Sequence, residues 1–172
     1  MSGLGLRASA AGLDVLADAA WPTGDDAEAP RLAGFVHSDF NPIIAAVAGR
    51  CLADHPESAP PSGDDPGTGI VLVSDLGDVD SAAHVARAVD TGGRVGPLFF
   101  FQSVPNAVLG HVAARHGLHG PVSCVCDAAA AVDAARGLLA DGDATRVLLI
   151  ELDHDGSGAT AAAVLVGHGG AS

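Results

Sequence analysis

Apolar residues along the chain fall into short runs and spaced sets whose two periodicities are typical of buried strands and of helices. Short apolar runs predict strands at residues 4–8, 69–74, 122–126, 145–152 and 160–166. Apolar residues at helical spacing predict helices at residues 41–52, 81–89, 106–116 and 128–140. Because strands and helices alternate and the strands are almost continuously apolar, we expect an α/β fold with a largely parallel sheet.

Residues with known positional preferences mark several ends of these helices. Asn41 followed by Pro42 predicts an N-cap and a first helical residue. Gly117 predicts the end of the helix over 106–116, because glycine is common just beyond a helix C-terminus. Asp127 is predicted to cap the helix that follows it.

The predicted helix over 128–140 is apolar on nearly all sides, with only two charged residues. Such a helix is expected to be buried on most of its surface. A single sheet covers one side, so another part of this chain or a partner should cover the rest. Residues 9–40 include Trp21, Phe35 and Phe40, so this region is one candidate for the cover.

Length and composition bound the class of protein. The chain has 172 residues, of which 48% are hydrophobic and 17% charged, so we expect one folded domain over 1–172. Two stretches rich in Pro, Gly, Asp and Ser, at 22–30 and 56–68, are predicted loops. No apolar run reaches the roughly 18 residues of a membrane span. The N-terminal residues lack the apolar centre of a signal peptide, so none is expected.

The charge balance argues against several partners. The formal net charge is −13, and all eight basic residues are arginines. These arginines are scattered along the sequence, so we expect no nucleic-acid partner and no binding to anionic membranes. The acidity itself is expected to serve solubility. We therefore expect a cytoplasmic protein.

Three cysteines, Cys51, Cys124 and Cys126, are too few and too unevenly numbered for a disulfide framework. Cys124 and Cys126 alternate on one predicted strand, where they are interpreted as small apolar residues of a core strand. A zinc site would need two further ligands at suitable spacing, so no metal is predicted. Cys126 lies just before a helix, whose dipole can lower a thiol pKa, and it is the best candidate nucleophile of the chain.

Other motifs carry little chemistry. His111, His116 and His119 do not share one helical face, so they are interpreted as polar surface or capping residues and not as metal ligands. The glycine-rich stretches lack dinucleotide or P-loop spacing, and no G-x-S-x-G turn is present. Residues 153–158 are predicted to form a turn between two strands. No cofactor is predicted.

The stretch PLFFFQSVPNAVLGHVAARHGLHGP, residues 97–121, resembles the β-ketoacyl synthase or condensing-enzyme family. In that family P-N and a later Gly precede a helix that is followed by G-L-x-G-P and a strand. The matching residues here are Pro105, Asn106, Gly110, Gly117, Leu118, Gly120 and Pro121. Residues 69–78 and 140–166 are similar to further strands and turns of the family. The resemblance implies an α/β fold with a single mixed, mainly parallel five-stranded sheet, like the N-terminal half of the thiolase fold.

The same resemblance places the family's nucleophilic cysteine eight residues after the Pro of G-P, and Ala129 stands there. The family's two catalytic histidines belong to its C-terminal half. The resemblance therefore implies a non-catalytic, truncated ketosynthase-like protein. It would act as a chain-length-factor-like partner in bacterial polyketide or fatty-acid-like biosynthesis. Alternatives are acyl transfer or thioester hydrolysis through Cys126, and a binding module for a small molecule or an acyl carrier protein without chemistry.

The resemblance also implies an interface, because dimers of the family pair through the strand after G-P and the region before it. The corresponding residues are Phe99, Phe100, Phe101, Val122, Cys124 and Cys126. One or two of the three phenylalanines should be core, and any exposed one would mark the interface. The expected partner is a second copy or a ketosynthase. An acyl carrier protein is a further candidate, although carriers are acidic and like charges disfavour docking.

Overall fold

A five-stranded sheet lies at the centre of the computed structural model, which describes residues 1–24, 26, 28–55, 67–154 and 158–169. Its strands are β1 Asp14–Trp21, β2 Thr68–Val73, β3 Val122–Val125, β4 Arg146–His154 and β5 Ala159–Gly167. The described helices are α1 Gly3–Ala10, α2 Phe40–Ala53, α3 Val79–Asp90, α4 Pro97–Ser103, α5 Pro105–His116 and α6 Ala128–Ala140. None of the described helices is both long and apolar enough to cross a membrane.

The order of the strands across the sheet is β1-β5-β4-β2-β3. Strand β2 pairs in parallel with β3 and β4, whereas β5 pairs antiparallel with both β4 and β1. Four strands therefore run in one direction and β5 runs in the other. This arrangement confirms the predicted α/β fold with a single mixed, mainly parallel five-stranded sheet.

Side chains alternate between the two faces of the sheet and form two cores. Ile70 and Leu72 of β2 face α2 and α5, in a cluster that also holds Trp21 and Phe40. Val71 and Val73 face the other way, toward α1 and α6. Strand β2 is buried at every position because it is covered on both faces, which explains its unbroken apolar run.

The first two elements differ from the sequence prediction. Residues 4–8 were predicted as a strand, and this prediction is wrong because they lie within α1. Ser2 caps α1 by accepting a hydrogen bond from the Gly5 N–H at 3.1 Å, and Asp18 of β1 accepts from the Ser2 hydroxyl at 2.8 Å. The first strand is instead Asp14–Trp21, whose sequence DVLADAAW has few β-branched residues and becomes a strand by pairing with β5.

Further differences concern α2 and α4. Helix α2 begins at Phe40 with Asp39 in the cap position, so the prediction of Asn41 as the N-cap is wrong. The buried Asn41 amide instead donates to distant partners. Residues 97–103, which the sequence left without a predicted element, form α4, which begins at Pro97. The predicted helices over 81–89, 106–116 and 128–140 and the strands from 69 onward are confirmed, with no end shifted by more than two residues.

The two predicted loops are described only in part, and Thr68, the last residue of the second, belongs to β2. The described residues between 22 and 30 form neither helix nor strand. Most of the second predicted loop, residues 56–66, lies outside the described residues, as do 155–157 of the predicted turn. Strands β4 and β5 do end and begin on either side of that turn, at His154 and Ala159.

The structure explains why glycine occupies two positions of the matched motif. Gly117 ends α5 in the left-handed conformation, with φ of 65°, which favours glycine. A Cβ atom on Gly120 would lie 2.5 Å from the Gly69 nitrogen, so no side chain fits. The Gly120 N–H donates to the Thr68 carbonyl, and the Pro121 carbonyl accepts from the Ile70 N–H. The motif therefore brings the chain against β2 at the start of β3.

Helix α6 is covered partly from within the chain. Its sheet-facing side buries Ala131, Val132, Ala135 and Leu139. Leu4 and Ala8 of α1 join the same core, so α1 supplies the internal cover. Of the candidate region 9–40, Leu13 belongs to this same core, whereas Trp21 and Phe40 pack on the opposite face of the sheet. The remaining side of α6, which includes Ala129 and Gly137, is exposed.

Candidate functional site

Helix α4 carries the most prominent exposed apolar side chains of the site region. Leu98, Phe100 and Phe101 are 73%, 57% and 72% exposed, and Val104 follows at 49%. Phe99 alone turns inward and is buried, so the expectation that one of the three phenylalanines belongs to the core is confirmed. Residues 97–104 carry no charge.

Strand β3 forms an edge of the sheet. It pairs with β2 on one side, and the described residues place no strand on its other side. Val122 and Cys124 lie opposite Ile70 and Leu72, so they point to the α5 side of the sheet. Helix α4 also packs against α5. We call Leu98, Phe100, Phe101, Val104 and Val122 together the α4–β3 surface.

The position of β3 corrects one prediction about the cysteines. Cys124 and Cys126 were interpreted as residues of a core strand, and both are exposed because β3 lies at the edge of the sheet. Partial burial still raises the pKa of the Cys124 thiol. Cys51 is the buried cysteine: it lies in α2 under β5, and burial raises its pKa to about 12.

The candidate nucleophile Cys126 lacks the partners that would activate it. Its described hydrogen bond is to the Asp127 carboxylate, with 3.7 Å between the Sγ and Oδ2 atoms. Asp127 also caps α6, as predicted, by accepting from the Ala130 N–H at 2.8 Å. A nucleophilic thiol needs a general base within hydrogen-bond reach, and no described histidine bonds to Cys126. Ala129 lies exposed in the first turn of α6 and offers only a methyl group.

A buried polar network, which the sequence analysis did not find, holds α4 in place. Asp78 caps α3 and accepts hydrogen bonds from Ser38, Asn41 and Ser81. The Asn41 amide also donates to the Gln102 carbonyl of α4 at 3.3 Å. One carboxylate therefore joins α2, α3 and the loop before α2, and Asn41 extends this network to α4.

Three rings meet on the inner side of α4. His37 and His84 stack with ring centroids 4.6 Å apart, and Phe99 lies 5.0 Å from each. This packing explains why Phe99 is buried while its neighbours are exposed. The described residues contain no group of three or more side chains that could hold a metal ion.

The three histidines that the sequence singled out separate in the structure. His111 and His116 are half-buried on α5 and border one cavity, whereas His119 is exposed. Burial lowers the pKa of His116, and the charges of Arg115 and His111 lower it further. The interpretation as surface or capping residues did not distinguish His111 and His116, which border this cavity, from the exposed His119.

The mixed sheet with β5 reversed, the G-L-x-G-P motif before β3 and the helix α6 behind it form a fold that is similar to that of solved ketosynthase structures. No family model matches the chain, and no curated protein matches it. The assignment therefore rests on solved structures.

Three solved structures illustrate the likeness. The chain superposes with a TM-score of 0.68 on the ketosynthase ApeO in complex with its chain length factor ApeC from Xenorhabdus doucetiae, at 15% identity, covering 93% of this chain and 80% of that one. For the ishigamide ketosynthase/chain length factor the TM-score is 0.63 at 21% identity, covering 88% and 49%. For a β-ketoacyl synthase from Burkholderia phymatum STM815 it is 0.64 at 15% identity, covering 95% and 54%. The chain thus spans about half the length of the second and third structures.

Proposed function

We propose that this protein is a non-catalytic, ketosynthase-like subunit that packs against a ketosynthase, as a chain length factor does, in bacterial polyketide or fatty-acid-like biosynthesis. The observation that carries the proposal is the exposed α4–β3 surface, which consists of large apolar side chains of α4 and the exposed Val122 of an edge strand, both elements packed against α5. Such a subunit would act in the cytoplasm and contribute structure to its partner.

The composition of the α4–β3 surface suits a protein interface. Interface cores are depleted of charge and enriched in aromatic residues, and this surface presents Phe100 and Phe101 on a segment without charge. The free edge of β3 offers main-chain hydrogen bonds to a further strand. The network at Asp78 holds α4 in position, so the helix can present this surface in a fixed orientation.

The local chemistry supports the non-catalytic part of the proposal. Condensation through a thioester needs a thiolate to carry the acyl group and polar groups to stabilise the enolate. Ala129 supplies neither. We commit to a ketosynthase as the partner because the structures that resemble this chain include ketosynthases named together with a chain length factor. A second copy of this chain is the competing occupant.

Light scattering after gel filtration tests the proposal, using the purified protein alone and mixed with ketosynthases encoded in the same genome. We expect a mixed complex, and Phe101→Asp should weaken it roughly 30-fold, as expected for a central apolar interface residue. Val89→Asp is the matched control, because Val89 is similarly exposed but lies on α3. A protein that stays monomeric and binds none of the ketosynthases would contradict the proposal. So would an equal loss of affinity in Phe101→Asp and Val89→Asp. A homodimer that Phe101→Asp dissociates would show that the α4–β3 surface is an interface, with a second copy of this chain as the partner in place of a ketosynthase.

The alternative is acyl transfer or thioester hydrolysis at Cys126. In its favour, the Cys126 thiol is exposed and lies directly before the cap of α6. Against it, the described hydrogen-bond partner of this thiol is the Asp127 carboxylate and not a histidine, the usual general base for a nucleophilic cysteine. The non-catalytic partner is therefore the better supported proposal.

A further inference from the structure

An open cavity of about 350 Å³ lies between α2, α5 and the segment 30–32. Its α2 side is made of small residues, including Ala45, Ala46 and Gly49. Arg31 from the segment and three side chains of α5 supply the polar groups; the latter are His111, Arg115 and His116. No carboxylate borders the cavity. Its volume lies in the range of small-molecule sites.

This concentration of basic groups stands out in an acidic protein. The chain has 21 acidic residues against eight arginines and eight histidines, yet two of each basic type border one cavity. Among the described residues, Arg50 and Arg136 pair with carboxylates, whereas neither Arg31 nor Arg115 forms an ion pair. Positive groups are thus gathered at a place where the described chain supplies no counter-charge.

The imidazoles add an unpartnered polar atom. His111 Nε2 is buried and has no hydrogen-bond partner among the described residues. A buried polar atom without a partner costs free energy. His116 Nε2 faces the small side of the cavity, since a Cβ placed on Gly49 would lie 3.8 Å from it. Burial lowers the pKa of His116 most, and the positive charges of Arg115 and His111 lower it further; a bound anion would offset that second effect.

We propose that this cavity binds a phosphoryl group carried by a small, partly apolar molecule. Two guanidinium groups can grip an oxyanion through paired N–H donors, and the His116 imidazole can supply a further donor. Two permanent positive charges favour a dianion over a singly charged carboxylate. The alanines and Gly49 leave room for an apolar portion beside the phosphoryl group. This site lies between α2 and α5 and is separate from the α4–β3 surface, so it does not depend on the proposed function.

Calorimetric titration of the full chain at neutral pH and low salt tests the proposal, with phenyl phosphate, inorganic phosphate and benzoate as probes. We expect saturable binding of phenyl phosphate that is tighter than that of inorganic phosphate and of benzoate. Arg115→Gln should weaken phenyl phosphate about tenfold, through the loss of one charge-assisted hydrogen bond. Arg94→Gln is the matched control, because it removes the same charge from an exposed arginine outside the cavity.

A second variant tests whether the ligand occupies the cavity itself, independently of the charges around it. Gly49→Leu places a side chain in the cavity without altering any charge, and it should abolish phenyl phosphate binding while the helix stays folded, as circular dichroism would report. The proposal is overturned if phenyl phosphate shows no saturable binding. It is also overturned if benzoate binds equally well, if Arg94→Gln matches Arg115→Gln, or if folded Gly49→Leu binds like the wild type.

Discussion

Removing the Asp78 carboxylate should destabilise the protein more than the loss of any single surface charge. Asp78 is 7% exposed and accepts four hydrogen bonds: from the Ser38 and Ser81 hydroxyls, the Asn41 amide and the Ser81 N–H. In Asp78→Ala the hydroxyls can turn toward other acceptors, and Asn41 keeps its bond to the Gln102 carbonyl. The Ser81 N–H and one donor of Asn41 are left without their partner.

The magnitude follows from these lost bonds. Loss of a helix cap costs about 1–2 kcal/mol, and loss of one more bond to a charged acceptor costs about 1.5–3 kcal/mol. We therefore expect Asp78→Ala to lower the free energy of unfolding by roughly 3–4 kcal/mol. At about 2–4 °C per kcal/mol for a chain of this size, the melting temperature should fall by roughly 10 °C.

Urea and thermal unfolding followed by circular dichroism measure this change. Asp80→Ala is the matched control, because Asp80 is an exposed carboxylate in the first turn of the same helix. It should cost less than about 1 kcal/mol, the value of a charge near a helix end. If Asp78→Ala costs no more than Asp80→Ala, the network does not hold these elements together. Since Asn41 links the network to α4, Asp78→Ala should also weaken the association proposed for the α4–β3 surface.

Two further measurements test the environments of titrating groups. With an aromatic disulfide reagent, Cys126 and then Cys124 should react in the folded protein, whereas Cys51 should react only on unfolding, because it is buried and burial raises its pKa to about 12. Long incubation with an acyl thioester should leave the intact mass of the protein unchanged. An acyl adduct at Cys126 would favour the enzymatic alternative. The Arg50 guanidinium bonded to Asp26 holds the pKa of that carboxyl well below its usual range. A lowered carboxyl pKa stabilises the fold above the unfolded value near 4 and loses this effect on acidification. The stability gap between wild type and Asp26→Asn should therefore shrink from neutral pH to about pH 3, and a constant gap would contradict the assignment.

The parts of the fold that could be predicted are those whose sequence pattern is local. Strand β2 is an unbroken apolar run because both of its faces are covered, and Gly117 and Asp127 mark helix ends through their own backbone and side chain. Strand β1 could not be predicted, because DVLADAAW becomes a strand only by pairing with β5, about 150 residues away. The motif at 105–121 was enough to predict the fold class, because Gly120 is required where the chain passes close to β2.

The candidate site was less accessible to sequence reasoning. Exposure of Cys124 depends on β3 being an edge strand, and strand order is a property of the whole sheet. Apart from the cap between Asp78 and Ser81, the network joins residues 37 to 61 positions apart in the sequence, so no local pattern shows it. The basic cavity was missed for the same reason. Arg31 and Arg115 are 84 positions apart in the sequence, and they border one cavity only because the fold brings the segment 30–32 close to α2 and α5.

Helix α5 contacts both proposed sites, which lie toward its two ends. Val108, Leu109 and Val112 fix the helix in the core, α4 precedes its first residue, and its later turns carry the basic side chains of the cavity. A helix of 12 residues is about 18 Å long, which is enough to keep the exposed side chains of α4 apart from the basic side chains of the cavity. Phe101→Asp should therefore leave phenyl phosphate binding intact, and Arg115→Gln should leave association with a ketosynthase intact. If either variant impaired both properties, the two surfaces would have to be one continuous site, and the separate assignments made here would be wrong.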